Sequence, residues 1–192
     1  MAEWIMRKTL HILSMLPIVF CACENKQKPV DSAKEEAEKM TIRVTSPAFE
    51  EGDTIPLEYT SDGENVSPPL NWKGVPEGTE SIALISDDPD APMGTWVHWV
   101  MWNIPADVKQ LAENVPPDED LPDGSRQGVT DFGSYGYGGP SPPSGTHRYY
   151  FKIYALDTKL DIPSSSKKAD LLRAMKGHVI AQGQLMGRYK RR

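Results

Sequence analysis

Cysteine is nearly absent from this 192-residue chain: Cys21 and Cys23 are the only two, and both lie near the N-terminus. Everything after them can form no internal disulfide, so the folded part must be held by a core alone. Positive charge is also in short supply. There are 21 Lys and Arg against 27 Asp and Glu, a formal net charge of −6, and the basic residues form no sustained stripe, which excludes nucleic acid as a natural partner. The apolar run from Ile12 to Cys23 is too short to span a bilayer. No HExxH motif or helical histidine pair is present, and no serine stands in a strand–turn–helix elbow. No internal repeat interrupts the chain.

What is present begins with a secretory pattern. Arg7 and Lys8 precede the apolar run, and polar residues follow it. Residues 1–22 read as a signal peptide, with Met6 as an alternative start, and Cys23, after the small residue Ala22, matches a bacterial lipoprotein cleavage site. The expectation is an extracytoplasmic envelope protein anchored to a membrane through lipid on Cys23. Residues 23–40 are charged and lack an apolar face, so they read as a flexible tether. Residues 41–192 then have a length suited to one domain with one core.

That domain is mainly β. Ile42 with Val44, and Ile55 with Leu57 and Tyr59, alternate apolar with polar, while Ile82 to Ile85 is a continuous apolar run, and glycines and prolines separate these segments. One helix is expected late in the chain, capped by Ser164 to Ser166, striped by Leu171, Leu172 and Met175, and stopped at Gly177. A last strand follows, with Ala181, Leu185 and Tyr189 on one face. His178 reads as a partner of the helix terminus. The connection from about Pro105 to Thr146 is long for a compact domain, which marks it as functional.

Two stretches carry the chemistry. In the first, Asp88-Pro89-Asp90-Ala91-Pro92 is a stiff acidic turn that leads past Gly94 into a strand. Strict alternation there puts Trp96, His98, Val100 and Trp102 on one face and Val97, Trp99 and Met101 on the other. The second stretch repeats the design: a Gly/Pro loop from Gly136 runs into a strand that carries His147 and Tyr149 on one face. A single histidine reads first as a core residue satisfied by one hydrogen bond; two at strand mouths suggest one shared site. Ser134, Ser141 and Ser144 offer a nucleophile but no elbow, and two His with two Asp could bind a metal but are not pre-paired. The third reading is a ligand pocket needing no cofactor. In it His98, His147, Tyr149 and the backbone N–H groups of Gly138, Gly139 and Ser141 hold a phosphate, while Asp88 or Asp90 and the face of Trp96 or Trp102 hold an ammonium.

The DPDAP turn, GTWVHWVMWNIP, GYGGPSPPSGTHRYYFKIYALD, the SPPLNW run at Ser67 with Gly63 and Asn65 upstream, and GHVIAQGQLMGRY at Gly177 occur in family order. Together they resemble the phosphatidylethanolamine-binding protein family, in its bacterial Raf-kinase-inhibitor-like branch. The resemblance implies a Greek-key β-sandwich with a C-terminal helix, no catalysis, and a small phosphorylated or zwitterionic headgroup bound by Asp88, His98, Gly139, Pro142, His147 and Tyr149. It also implies a homodimer, and as an alternative function the inhibition of a kinase or protease by protein contact. The branch would carry Asn before Asp131 and Cys between the prolines; Thr130 and Ser141 stand there instead.

Overall fold

The computed structural model describes residues 42–191. The expected signal segment, Cys23 and the whole tether lie outside those residues. Chain order runs through β1 (Arg43–Thr45), a 3-10 turn (Leu57–Tyr59), β2 (Leu70–Lys73), β3 (Ser81–Asp88), β4 (Trp96–Pro105), β5 (Gln110–Leu111), β6 (Arg126–Gln127), β7 (His147–Leu156), α1 (Lys168–Met175) and β8 (Val179–Tyr189). The strands form a three-stranded sheet, β1-β2-β5, and a five-stranded sheet, β6-β4-β3-β7-β8, with every strand pairing antiparallel. After β4 the chain pairs β6 on the far side and then returns to place β7 beside β3. That return gives the order 7-3-4-6, a Greek key.

The main core lies between the two sheets. Val44, Leu70 and Trp72 from the small sheet, with Ile42 just before β1, meet Ile82, Leu84, Trp99, Met101, Phe151, Ile153 and Leu185 from the large one. The other face of the large sheet buries Ala83, Ile85, Val97, Val100 and Trp102 under Leu171 and Met175 of α1. Strands covered on both faces read as continuous apolar runs, which is why β3 and β4 do so in the sequence. Polar groups inside are paired where they brace elements: Trp99 Nε1 donates to Gln127 Oε1 at 2.7 Å, and Gln127 Nε2 donates to the carbonyls of Pro116 and Asp118, fixing β6 under β4. Asp87 is fully buried and is held by Lys152 at 2.8 Å and by Lys168, which ties α1 to β3.

Three local expectations are corrected. Ile55, Leu57 and Tyr59 do not form a strand, because Pro56 starts a 3-10 turn there and Leu57 is left exposed while Ile55 and Tyr59 are buried. Ser164 to Ser166 do not cap α1: its N-cap is Lys167, whose backbone N–H donates to the Asp170 carboxylate. Leu172 is exposed, leaving Leu171 and Met175 as the packing face. Gly177 does end the helix, at φ +86°, a left-handed conformation that glycine takes without strain.

Strict alternation along β4 also fails, twice. Asp87 pairs with Val97 but Ser86 pairs with Trp99, so His98 is an extra residue opposite β3. Such a bulge re-aims side chains. Trp96 and His98 keep the inner face, Trp99 and Met101 join them there, and Val100 and Trp102 turn to the helix side. A second register shift lies between Ile82 and Leu84. Asn103 sits there at φ +56°, its side-chain amide making hydrogen bonds in both directions with the backbone of Leu160.

Candidate functional site

The strand ends at one edge of the large sheet enclose a cavity of about 410 Å3, within the roughly 300–1,000 Å3 range of small-ligand sites. Its walls come from three strand ends and two loops. β3 ends at Asp88, β4 begins with Trp96 and His98, and β7 begins with His147 and Tyr149. The two stiff loops complete it, with Ala91, Pro92 and Met93 on one side and Phe132, Ser141, Pro142 and Pro143 on the other. The turn prolines fix these loops against the strand mouths, so the polar groups converge without long side chains.

Each polar group has a distinct partner. Asp88 Oδ2 accepts from His147 Nδ1 at 2.7 Å, with both side chains nearly out of solvent. Asp88 Oδ1 accepts from the backbone N–H of Asp90 at 2.8 Å, so the acidic loop folds back on its first residue. His98 Nδ1 lies 2.6 Å from the Gly138 carbonyl oxygen, which can only accept, so Nδ1 carries the hydrogen. Its ring stands edge-on to Phe132 and Tyr149, with centroids 5.3 and 5.2 Å away. Burial pushes the His98 pKa down, opposed by the Gly138 bond and by Asp88. The Tyr149 hydroxyl is buried and makes no hydrogen bond of ordinary geometry among the described residues; burial, then the Asp88 carboxylate as a nearby charge and acceptor, pushes its pKa up.

The structure gathers Asp88, His98, Pro142, His147 and Tyr149 around the cavity and places the other two expected residues elsewhere. Asp90 does not line it. Arg148, on the outward side of β7, grips Asp90 through Nε–Oδ2 at 2.9 Å and its second nitrogen to Oδ1 at 2.6 Å, which holds the carboxyl down at about 2. Gly139 does not offer its N–H to a ligand, since that group donates to Asn65 Oδ1 at 2.7 Å. A Cβ at Gly139 would meet Asn65 Oδ1 and the backbone of Thr60 and Ser61 inside 3 Å, so glycine is needed for the loop to seat. The Gly138 N–H is likewise spent, on the His98 carbonyl. Trp102 is buried on the helix side and only Trp96 reaches the cavity.

Several members of the wall were not singled out from sequence. Phe132 packs edge-on against Trp96 and His98, and its one signal is a bulky aromatic among glycines and serines. Asp131 pins the β4 entrance, exchanging hydrogen bonds with the Val97 backbone. Met93 is almost wholly exposed at the rim. Among the described residues no three His, Cys, Asp or Glu are grouped as metal ligands, and no helix is long and apolar enough to cross a membrane.

This architecture recurs in known proteins. The family model described as phosphatidylethanolamine-binding protein matches residues 45–190. A UPF0098 protein of Methanothermobacter thermautotrophicus is 56% identical over 144 residues, covering 75% of this chain and 95% of its own, and one of Aquifex aeolicus is 45% identical over 153 residues, covering 78% and 89%. Two crystal structures superpose with a TM-score of 0.73: a phosphatidylethanolamine-binding protein homologue of Chlamydia trachomatis, 39% identical, and YbcL of E. coli, described as a member of the mammalian PEBP family, 37% identical. Each covers 79% of this chain and 99% of the other. With the match running from β1 to the end of β8, and so across the loops that wall the cavity, the chain belongs to the phosphatidylethanolamine-binding protein family.

Proposed function

We propose that this protein binds a small phosphorylated or zwitterionic headgroup, of the phosphoethanolamine kind, in the Asp88–His98–His147–Tyr149 cavity and carries out no chemistry on it. Family membership supports ligand or protein binding in general. The observation that carries the finer reading is the buried Tyr149 hydroxyl, which lines the cavity beside two imidazoles and makes no hydrogen bond of ordinary geometry among the described residues. An unmade hydrogen bond on a buried group costs about 1–3 kcal/mol, which an oxyanion would recover. Asp88 and the face of Trp96 are then the places for an ammonium, and Asp90 and Trp102 are not.

Calorimetry on Asp88→Asn tests this. Removing the carboxylate should weaken phosphoethanolamine binding and leave inorganic phosphate unchanged or tighter, because only the zwitterion loses an attraction. Equal losses for both ligands would rule the zwitterion out. We further propose that the protein works outside the cytoplasm, held to a membrane by lipid on Cys23. Cys23→Ala should then move it from the membrane to the soluble or secreted fraction; unchanged membrane association would sink the anchor.

A further inference from the structure

Among the described residues no lysine or arginine lines the cavity. Arg148, the chain neighbour of His147 on β7, is committed to Asp90. An oxyanion held here must therefore be held by hydrogen bonds from neutral groups or from imidazoles that have gained a proton. The two imidazoles are fixed in tautomer by their partners: His98 Nδ1 faces the Gly138 carbonyl, and His147 Nδ1 faces the Asp88 carboxylate. Both partners accept, so both Nδ1 atoms carry the hydrogen, and each neutral ring has only a bare Nε2 lone pair to offer the cavity. Bare Nε2 atoms repel the oxygens of a fully ionised acid. Tyr149 is the one side chain of the four that donates unaided.

We propose that anion binding in this cavity is proton-coupled: each contact between an imidazole Nε2 and a ligand oxygen forms only with a proton brought by the ligand or taken from solvent. The ligand class that fits is a singly ionised oxyacid that still carries an O–H, or an anion that arrives with a proton from solvent; a dianion is disfavoured. This deepens the headgroup reading and rests on it. The surrounding charges are consistent with it. Asp88 from β3 lies beside both imidazoles and Asp131 from the long loop adds to the field at His98, while Asp87 is neutralised by Lys152 and Lys168 and Asp90 by Arg148, so Asp88 is the unneutralised carboxylate that a proton in the cavity meets first. On β8, Tyr189 is the register partner of His147 and donates to Asp62, which Arg191 also holds.

The test is calorimetry on the full chain with two probes, sulfate and phosphoethanolamine, at pH 5.5 and 7.5, each in two buffers of different ionisation enthalpy. Sulfate has no proton to bring in this range, whereas a phosphomonoester takes one up near pH 6. Sulfate should bind with uptake of about one proton for each imidazole it contacts at both pH values, and phosphoethanolamine with uptake that is larger at pH 7.5 than at 5.5. Affinity for sulfate should fall above pH 6 by up to about tenfold per pH unit for each proton taken up. His98→Gln, whose amide donates without titrating, should lower the uptake and flatten the pH dependence; Tyr149→Phe should weaken binding with the uptake intact. Phosphoethanolamine binding with no buffer-dependent heat would overturn the coupling and leave the headgroup reading standing. Failure of both probes to bind at either pH would overturn both.

Discussion

At the scale of single residues, the cavity depends on groups that the fold holds in one protonation state. His98 is the clearest. Its pKa is held below the ordinary 6.5 because burial opposes the charge more than the Gly138 carbonyl and Asp88 favour it. The unfolded chain, with the ordinary value, therefore takes up the proton first. Stability is full above about pH 6.5 and falls as pH drops below that value, until the folded protein also protonates. Gln at this position cannot titrate. The melting temperature of His98→Gln should therefore drop less than that of the parent between pH 7.5 and 5.5, and an equal or larger drop would contradict the assignment. Asp90 shows the opposite case, with Arg148 keeping it ionised through the mildly acid range so that the rim loop stays clamped to β7.

At the scale of elements, the sequence revealed what periodicity and turn chemistry dictate and hid what tertiary contacts decide. The buried strands were legible because β3 and β4 carry continuous apolar runs and β7 alternates, each flanked by Gly or Pro turns. His147 and Tyr149 stand together because β7 alternates regularly from His147 to Ala155, the register shift coming only after that residue. His98 was placed with Trp96 correctly but with Val100 and Trp102 wrongly, since a bulge is set by pairing with β3 and leaves no periodic trace. Ile55 to Tyr59 misled for a related reason: three alternate apolar residues match the strand period, yet Pro56 favours the tight turn. Asp90 was read as a ligand because its loop is acidic. What disarms it is Arg148, 58 residues away in sequence, and no local pattern announces that pair. Gly139 was implied by the resemblance as a ligand residue, whereas its place in the structure follows from Asn65 and the close approach of residues 60 and 61.

At the scale of the whole molecule, two sheets and one helix place the ends of β3, β4 and β7 at a single edge of the large sheet, and the long connection between β4 and β7 closes over that edge. The Greek-key crossing is what makes this possible, because it sets β7 beside β3 and so brings His147 within 2.7 Å of Asp88. The central claim is that the cavity at this edge receives an oxyanion. Crystals of the protein soaked in phosphoethanolamine test it most directly. The account predicts density for the phosphorus inside the cavity, with oxygens in hydrogen-bond reach of His98 Nε2, His147 Nε2 and the Tyr149 hydroxyl and with the amine toward Asp88 and Trp96. A cavity that stays empty while the ligand sits elsewhere, or a phosphate turned away from both imidazoles, would contradict it.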